Sequence, residues 1–411
     1  MACRNESRTI HADVLLCLCL CSAVWGGPMK WTHFTIADPL PANAWGTGGS
    51  PLADYDGDGD LDVVISRRQT KTAYWFERKN DATWVRHVMG QAEGLAKTLG
   101  SAALDINEDG LLDVVLTGVW FENPGGLADN PDKPWPAHDF PGGAHDIVAA
   151  DLNGDGRLDI VTYHGKVVSW FDPAHDMKQT DVGQGEENHG GIAPNGVADL
   201  DGDGDLDIVI PAYWFENPGK GTGQWPRHAW PHKAVPKAMY GTSMRSWVVD
   251  LNSDGHQDIV YSDCDTGWSH VYWVENLGKG ADWKRRQLAD PPTAPGDVPE
   301  TGSFHSLGIA DFDGDGNLDI FAGEQEDPDA GYDGRLGMKP KGLKERGVIW
   351  LGSGGPQPTF TPVVIHTDNP GWHDATLGDV DGDGDIDIVT KVWNKDGAAY
   401  HADYWRNDTP R

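Results

Sequence analysis

"DLDGDGDLDIV" (199–209) places five aspartates in nine positions, from Asp199 to Asp207. Carboxylates this close repel one another, and a chain that needed only solubility would spread them out. Oxygen donors at alternate positions, with glycine at the sixth for a sharp turn, have the logic of a calcium cage. The arrangement is related to the EF-hand loop, with its last ligand moved forward. Hard oxygen ligands select Ca2+ over Zn2+ or Cu2+. The expected ligands in this stretch are Asp199, Asp201, Asp203 and Asp207.

The string returns. The pattern D-x-(D/N)-x-D-G-x-x-D occurs seven times, at steps of 51, 46, 48, 51, 61 and 68 residues. The other copies predict as ligands Asp54, Asp56, Asp58 and Asp62; Asp105, Asn107, Asp109 and Asp113; Asp151, Asn153, Asp155 and Asp159. After the copy at 199 come Asp250, Asn252, Asp254 and Asp258; Asp311, Asp313, Asp315 and Asp319; and Asp379, Asp381, Asp383 and Asp387. Asparagine at 107, 153 and 252 predicts weaker binding there. Up to seven Ca2+ ions would bring the formal charge of −32 to about −18.

Each copy is followed by an apolar run such as "VVIS" (63–66), and most by an aromatic strand such as "YWFEN" (213–217). Most units then carry a Trp/basic strand such as "WPRHAW" (225–230). Four-stranded units of roughly 40–50 residues predict propeller blades. The expected fold class is all-β: a seven-bladed β-propeller with an Asp-rich calcium loop in each hairpin between first and second strands. "KWTHFTI" (30–36) reads as a fourth strand, and "DYWRNDTPR" (403–411) as a third. The N-terminal strand is therefore expected to complete the last blade and close the ring, leaving no exposed edge. Most of the 19 Trp are assigned to packing between blades.

Residues 28–411 form the expected propeller domain, and residues 1–27 read as a signal peptide. Arg4 and Arg8 precede "VLLCLCLCSAVW" (14–25), a run too short to span a bilayer, and Gly26 and Gly27 place cleavage nearby. A start at Met29 is the alternative. The export signal predicts a secreted or periplasmic protein. No later segment is apolar enough to cross a membrane. Four of the five cysteines lie in the leader, so Cys264 is left without an internal disulfide partner. It reads as a small buried hydrophobe, with metal ligation the lesser alternative. The acidic balance, with no basic run, excludes nucleic acid as a partner. A monomer is expected.

These repeats resemble the FG-GAP/VCBS family, the calcium-loop propellers that include the integrin alpha-chain head. "GVADLDGDGDLDIV" (196–209) is similar to its core repeat, and the resemblance covers about residues 30–411. The Phe-Gly and Gly-Ala-Pro strand signatures of the integrins are not obvious here. The family hosts lectins, adhesins, scaffolds and polysaccharide lyases, so the fold alone does not decide function.

The long connections fall at 178–194, 229–246, 262–271, 288–305, 323–346 and 391–402, all on the rim away from the aspartate loops. Elaborated loops on a rigid scaffold are where function sits. Arg67, Asp263, Cys264, Asp265, Glu324 and Glu326 are placed on that rim, with His189 and Lys391 expected to bind substrate. His145, His305 and His373 each precede their first loop aspartate by six residues. Three such imidazoles around the channel mouth could hold a second divalent metal, or bond to backbone at the strand start. His145, His164, Tyr213 and Arg245 make another set. It is similar in residue types and order to that of propeller polysaccharide lyases such as the ulvan lyases. That likeness implies His and Tyr as base and acid, and Arg neutralising a substrate carboxylate. "HGG…GVADLDGDGDLDIVIPAYWFENP" also resembles the propeller of aldos-2-ulose dehydratase, a metal-dependent sugar dehydratase. The expected chemistry is β-elimination on a carbohydrate or polysaccharide. The alternative is a non-catalytic carbohydrate-binding or adhesion propeller. Unequal rim loops favour one asymmetric site over repeated lectin pockets.

Overall fold

The computed structural model describes residues 29–42, 45–97, 99–143, 145–186, 189–233, 242–293, 296–326, 339–393 and 400–410. The expected leader lies outside them, as do 234–241, 327–338 and 394–399 of the long connections. The described residues form seven sheets. Blade one is Leu52–Ala53, Asp62–Ile65, Thr72–Asn80 and Thr83–Gln91, hydrogen-bonded in chain order. Blades two to six begin with Ser101–Leu104, Asp146–Ala150, Val197–Ala198, Met244–Val249 and Phe304–Ala310. Blade five also takes the short strand Pro194–Asn195, paired parallel to its first strand. Blade seven joins His373–Gly378, Asp387–Lys391 and Ala402–Asn407 to Trp31–Ala37 as its outer strand.

The second strand of each blade is apolar without alternation because both of its faces are covered. Val64 packs with Val114, Leu116 and Phe121 of blade two, while Val63 and Ile65 pack with Val389 and Tyr404 of blade seven. The same division places an apolar cluster between each pair of successive blades. Third-strand tryptophans fill these seams: Trp75, Trp214, Trp273, Trp350 and Trp405 are fully buried.

The aspartate repeat has a structural logic of its own. Its sixth position is glycine at φ between +86° and +101° in all seven copies, a conformation that L side chains rarely adopt. Its ninth aspartate is buried and ties the hairpin to the third strand. Asp207 accepts the Leu200 N–H at 2.8 Å and the Asn217 N–H at 2.9 Å. Asp113, Asp319 and Asp387 make the equivalent pair of bonds.

Candidate active site in the central channel

The first strands of the blades wall a central cavity of about 1190 Å3. It opens on the rim away from the aspartate loops, because first strands begin there and run toward those loops. His145, Asp146, His189, Arg245, Asp265, His305, His373 and Asp374 all line it.

Asp146 organises one side. Its Oδ2 accepts the N–H groups of Gly191, Ile192 and Ala193 at 2.6, 2.9 and 3.1 Å. Its Oδ1 meets His145 Nδ1 at 2.8 Å and Arg245 Nη1 at 3.5 Å. Burial opposes the charge on Asp146, but His145, Arg245 and the backbone donors outweigh it and hold the carboxyl well below the usual range. An ionised Asp146 accepts, so His145 donates through Nδ1, and in the neutral ring the lone pair is on Nε2. The His189 ring lies 4.3 Å from that of His145. Burial, with His145 beside it, lowers the His189 pKa to about 4 and keeps it neutral.

Asp374 organises the other side. It bonds to Arg245 Nη2 and takes Lys391 Nζ at 3.1 Å, with His305 Nδ1 at 3.3 Å and His373 Nδ1 at 2.9 Å. Burial works against its charge, and Arg245, His373 and Lys391 hold its pKa well below the usual carboxylate range. His305 and His373 stack at 3.7 Å. Burial and Arg245 press the His305 pKa down, but Asp265 and Asp374 raise it to about 9, so it carries a proton at neutral pH. Asp265 Oδ2 accepts the Ser243 hydroxyl at 2.6 Å and lies 3.7 Å from His305 Nε2. The buried charges balance: Asp146, Asp265 and Asp374 against Arg245, His305 and Lys391. Asp265 and Asp374 sit at φ +55° and +49°, backbone strain of the kind that collects at working sites.

The geometry sorts the expected residues. His145, His189, Arg245, His305 and His373 converge on the channel. His164 and Tyr213 do not line it. His164 ends a second strand exposed, and Tyr213 opens a third strand with the Arg227 guanidinium 4.2 Å over its ring. They stand one and two strands outward from the channel wall, so they do not assemble with His145 as acid and base. Arg245 is fully engaged: its Nε donates to the His305 carbonyl at 3.0 Å, and its other nitrogens hold Asp146 and Asp374. It fixes the site and leaves no fork for a substrate carboxylate. Lys391 is buried behind Asp374 and does not line the cavity, so it is a support for Asp374 instead of a substrate contact. Asp146 and Asp374 were missed. The signal was the His-Asp dipeptide repeated at 145–146 and 373–374.

The four channel histidines divide into His145 with His189 and His305 with His373. His305, His373 and Asp374 bring ligand atoms within 4.8 Å, as do Cys264, Asp265 and His305. A metal fits neither set well. Arg245 and Lys391 already neutralise Asp374, His305 holds a proton, and burial pushes the Cys264 thiol away from the ligating thiolate form. The rim loops are different. In the copies at 54, 199 and 311 ligand atoms of the first three aspartates converge within 4.8 Å. All-oxygen donors there fit a hard divalent ion.

A profile of the FG-GAP-like repeat matches residues 54–116, 199–261 and 250–322. Each match runs from the first aspartate of one loop to the second strand of the next blade. The chain belongs to the FG-GAP-repeat propellers. Among solved structures, this FG-GAP propeller is similar to an Agrocybe aegerita lectin that recognises non-reducing terminal N-acetylglucosamine. Identity is 19%, covering 84% of this chain and 91% of that one, with a TM-score of 0.51. That likeness shows the fold. The Tc holotoxin pore of Photorhabdus luminescens matches at 17% identity over 84% of this chain and 17% of that one, with a TM-score of 0.37. Zinc finger CCCH domain-containing protein 50 of Oryza sativa subsp. japonica is 30% identical over 99 residues. The match takes in 21% of the FG-GAP propeller and 15% of that relative's length. No helix among the described residues is long and apolar enough to cross a membrane.

Proposed function

We propose that the protein binds carbohydrate at the channel mouth and acts on it as a lyase or dehydratase by β-elimination. The observation that carries this reading is the His145–Asp146 pair opening on the cavity within a charge-balanced buried network. Buried ion pairs cost desolvation and are weak aids to stability, so a network of six charges, five of them lining a cavity, argues for chemistry. His145 Nε2 takes the proton beside a carboxylate or ketone. The electron pair forms the carbon–carbon double bond as the β carbon–oxygen bond breaks. The imidazolium then returns the proton to the leaving oxygen. The fixed charges of Arg245 and His305 favour the enolate-like transition state. Trp45, 40% exposed at the mouth, offers a face for a sugar ring, and the lectin neighbour supports sugar recognition by this architecture.

We read the aspartate loops as calcium sites that stabilise the blades. The signal-peptide pattern at 1–27 supports work outside the cytoplasm, where polysaccharides are met.

The test is ultraviolet absorbance during incubation with uronate-containing polysaccharides and keto-sugars. A rise from the conjugated double bond, lost in His145→Ala, supports the reading. A flat trace from a variant-free protein that still binds glycan would replace it with a binding propeller.

A further inference from the structure

Arg245 is saturated, but a second arginine at the mouth is not. Arg68 follows the second strand of blade one and lines the cavity. Its guanidinium carbon lies 5.1 Å from the Trp45 ring centroid and 5.1 Å from that of Trp393. The two indoles meet edge to face at 5.2 Å. Among the described residues Arg68 pairs with no carboxylate, in a protein of formal charge −32, and its Nε is buried without a hydrogen-bond partner there. The backbone is shaped around this contact. Gly46, at φ +74°, accepts the Arg68 N–H at 3.2 Å, and a Cβ there would stand 3.3 Å from Arg68 Cδ and 3.5 Å from the Trp393 ring. Trp393 stacks in turn on His373 at 5.3 Å, joining the mouth to the buried network.

Aromatic faces engage a guanidinium through its π surface and leave its in-plane N–H fork free. That fork matches two oxygens of one anionic group. We propose that Trp45, Arg68 and Trp393 form an anion subsite that selects acidic sugars, the carboxylate or sulfate group lying on the Arg68 fork. This subsite rests on the carbohydrate reading for its ligand and on its own geometry for its charge preference.

The experiment follows tryptophan fluorescence and calorimetric titration of the full chain, Arg68→Gln and Arg68→Lys, each checked for an unchanged melting curve. The probes are uronate, sulfated and neutral oligosaccharides, with acetate and inorganic sulfate as sugar-free anions. The expected result is acidic-oligosaccharide affinity reduced roughly 10- to 100-fold in Arg68→Gln, with neutral binding unmoved. Arg68→Lys should fall between, keeping charge without the fork. Preference for uronate over sulfate identifies the carboxylate as the source, and the reverse identifies sulfate. If acidic and neutral oligosaccharides bind equally and Arg68→Gln changes nothing, the subsite is overturned while carbohydrate binding stands. If small anions saturate in an Arg68-dependent way but no oligosaccharide binds, the subsite stands and the carbohydrate reading falls. If no probe binds at all, to the full chain or to either variant, both are overturned.

Discussion

Asn217 of blade four donates through Nδ2 to the carbonyl of Leu152, the second residue of the blade-three aspartate loop, at 2.9 Å. The same amide donates to Leu206 at 3.1 Å, and its Oδ1 accepts Gly219 and Gly221 N–H at 3.1 and 3.0 Å. Asn123, Asn276 and Asn407 make the same inter-blade bond, to Tyr55, Leu200 and Phe312. The asparagine that ends "YWFEN" is thus a staple between neighbours. Asn217→Ala orphans buried backbone groups and should cost about 2–4 kcal/mol, seen calorimetrically as a melting temperature lowered by several degrees. An unchanged melting temperature would show that the staple is redundant with the apolar seam.

Asp146 holds three backbone N–H groups, His145 and Arg245. Asp146→Asn keeps the volume and removes the charge, leaving Arg245 partly uncompensated. A loss of about 3–5 kcal/mol is expected in denaturant melts. Turnover should fall as well, though no further than in His145→Ala, because the His145 tautomer is no longer fixed. Wild-type stability in the variant would mean that Asp374 alone neutralises Arg245.

Removing divalent ions should lower the melting temperature, and excess Ca2+ should restore it. Each site held at a hundred times its dissociation constant contributes about 2.7 kcal/mol. Loops with asparagine at 107, 153 and 252 should release first on chelator titration. An identical melting curve after exhaustive chelation would remove the calcium reading.

Stability should decline on both sides of neutrality. His305 holds its proton to about pH 9 when folded and to about 6.5 when unfolded. Its contribution is complete below 6.5 and is lost as pH rises toward 9. His189 stays neutral to about pH 4 when folded, while the unfolded chain takes the proton below 6.5. Stability therefore also falls as pH drops from 6.5 toward 4. Melting temperatures across pH 4 to 9 check this, and His305→Gln should flatten the alkaline limb alone.

Much of the architecture was legible because it is periodic. The seven aspartate strings, the apolar second strands and the aromatic third strands each announce a local rule that every blade repeats. Counting strands in the last unit places the N-terminal strand there, and Trp31 pairs with Asn407 as that count implies. The site is the part where periodicity stops helping. His145, His305 and His373 share a repeat position, and that equivalence suggested one three-histidine cluster. Their partners differ: Asp146 draws His145 toward His189, and Asp374 draws His373 toward His305. Non-repeated residues such as Arg68 and Trp393 carry no motif and become visible only when the fold brings them together. His164 and Tyr213 matched by type but lie on outer strands, a distinction of sheet depth that residue order does not encode.

The pairing of Trp31–Ala37 with Ala402–Asn407 has a consequence for biosynthesis. A nascent chain emerging from the ribosome holds its first strand without a partner until nearly everything else has been made. Blades one to six can condense in turn while that strand waits, and the final sheet assembles across a separation of 376 residues between Trp31 and Asn407. Long-range pairing of this kind is slow, and it exposes an unpaired edge in the interval. Deleting Trp31–Ala37 or Ala402–Asn407 strips the same sheet, from opposite sides. A circular permutant that made the seventh blade contiguous would instead refold faster than the natural order of the chain.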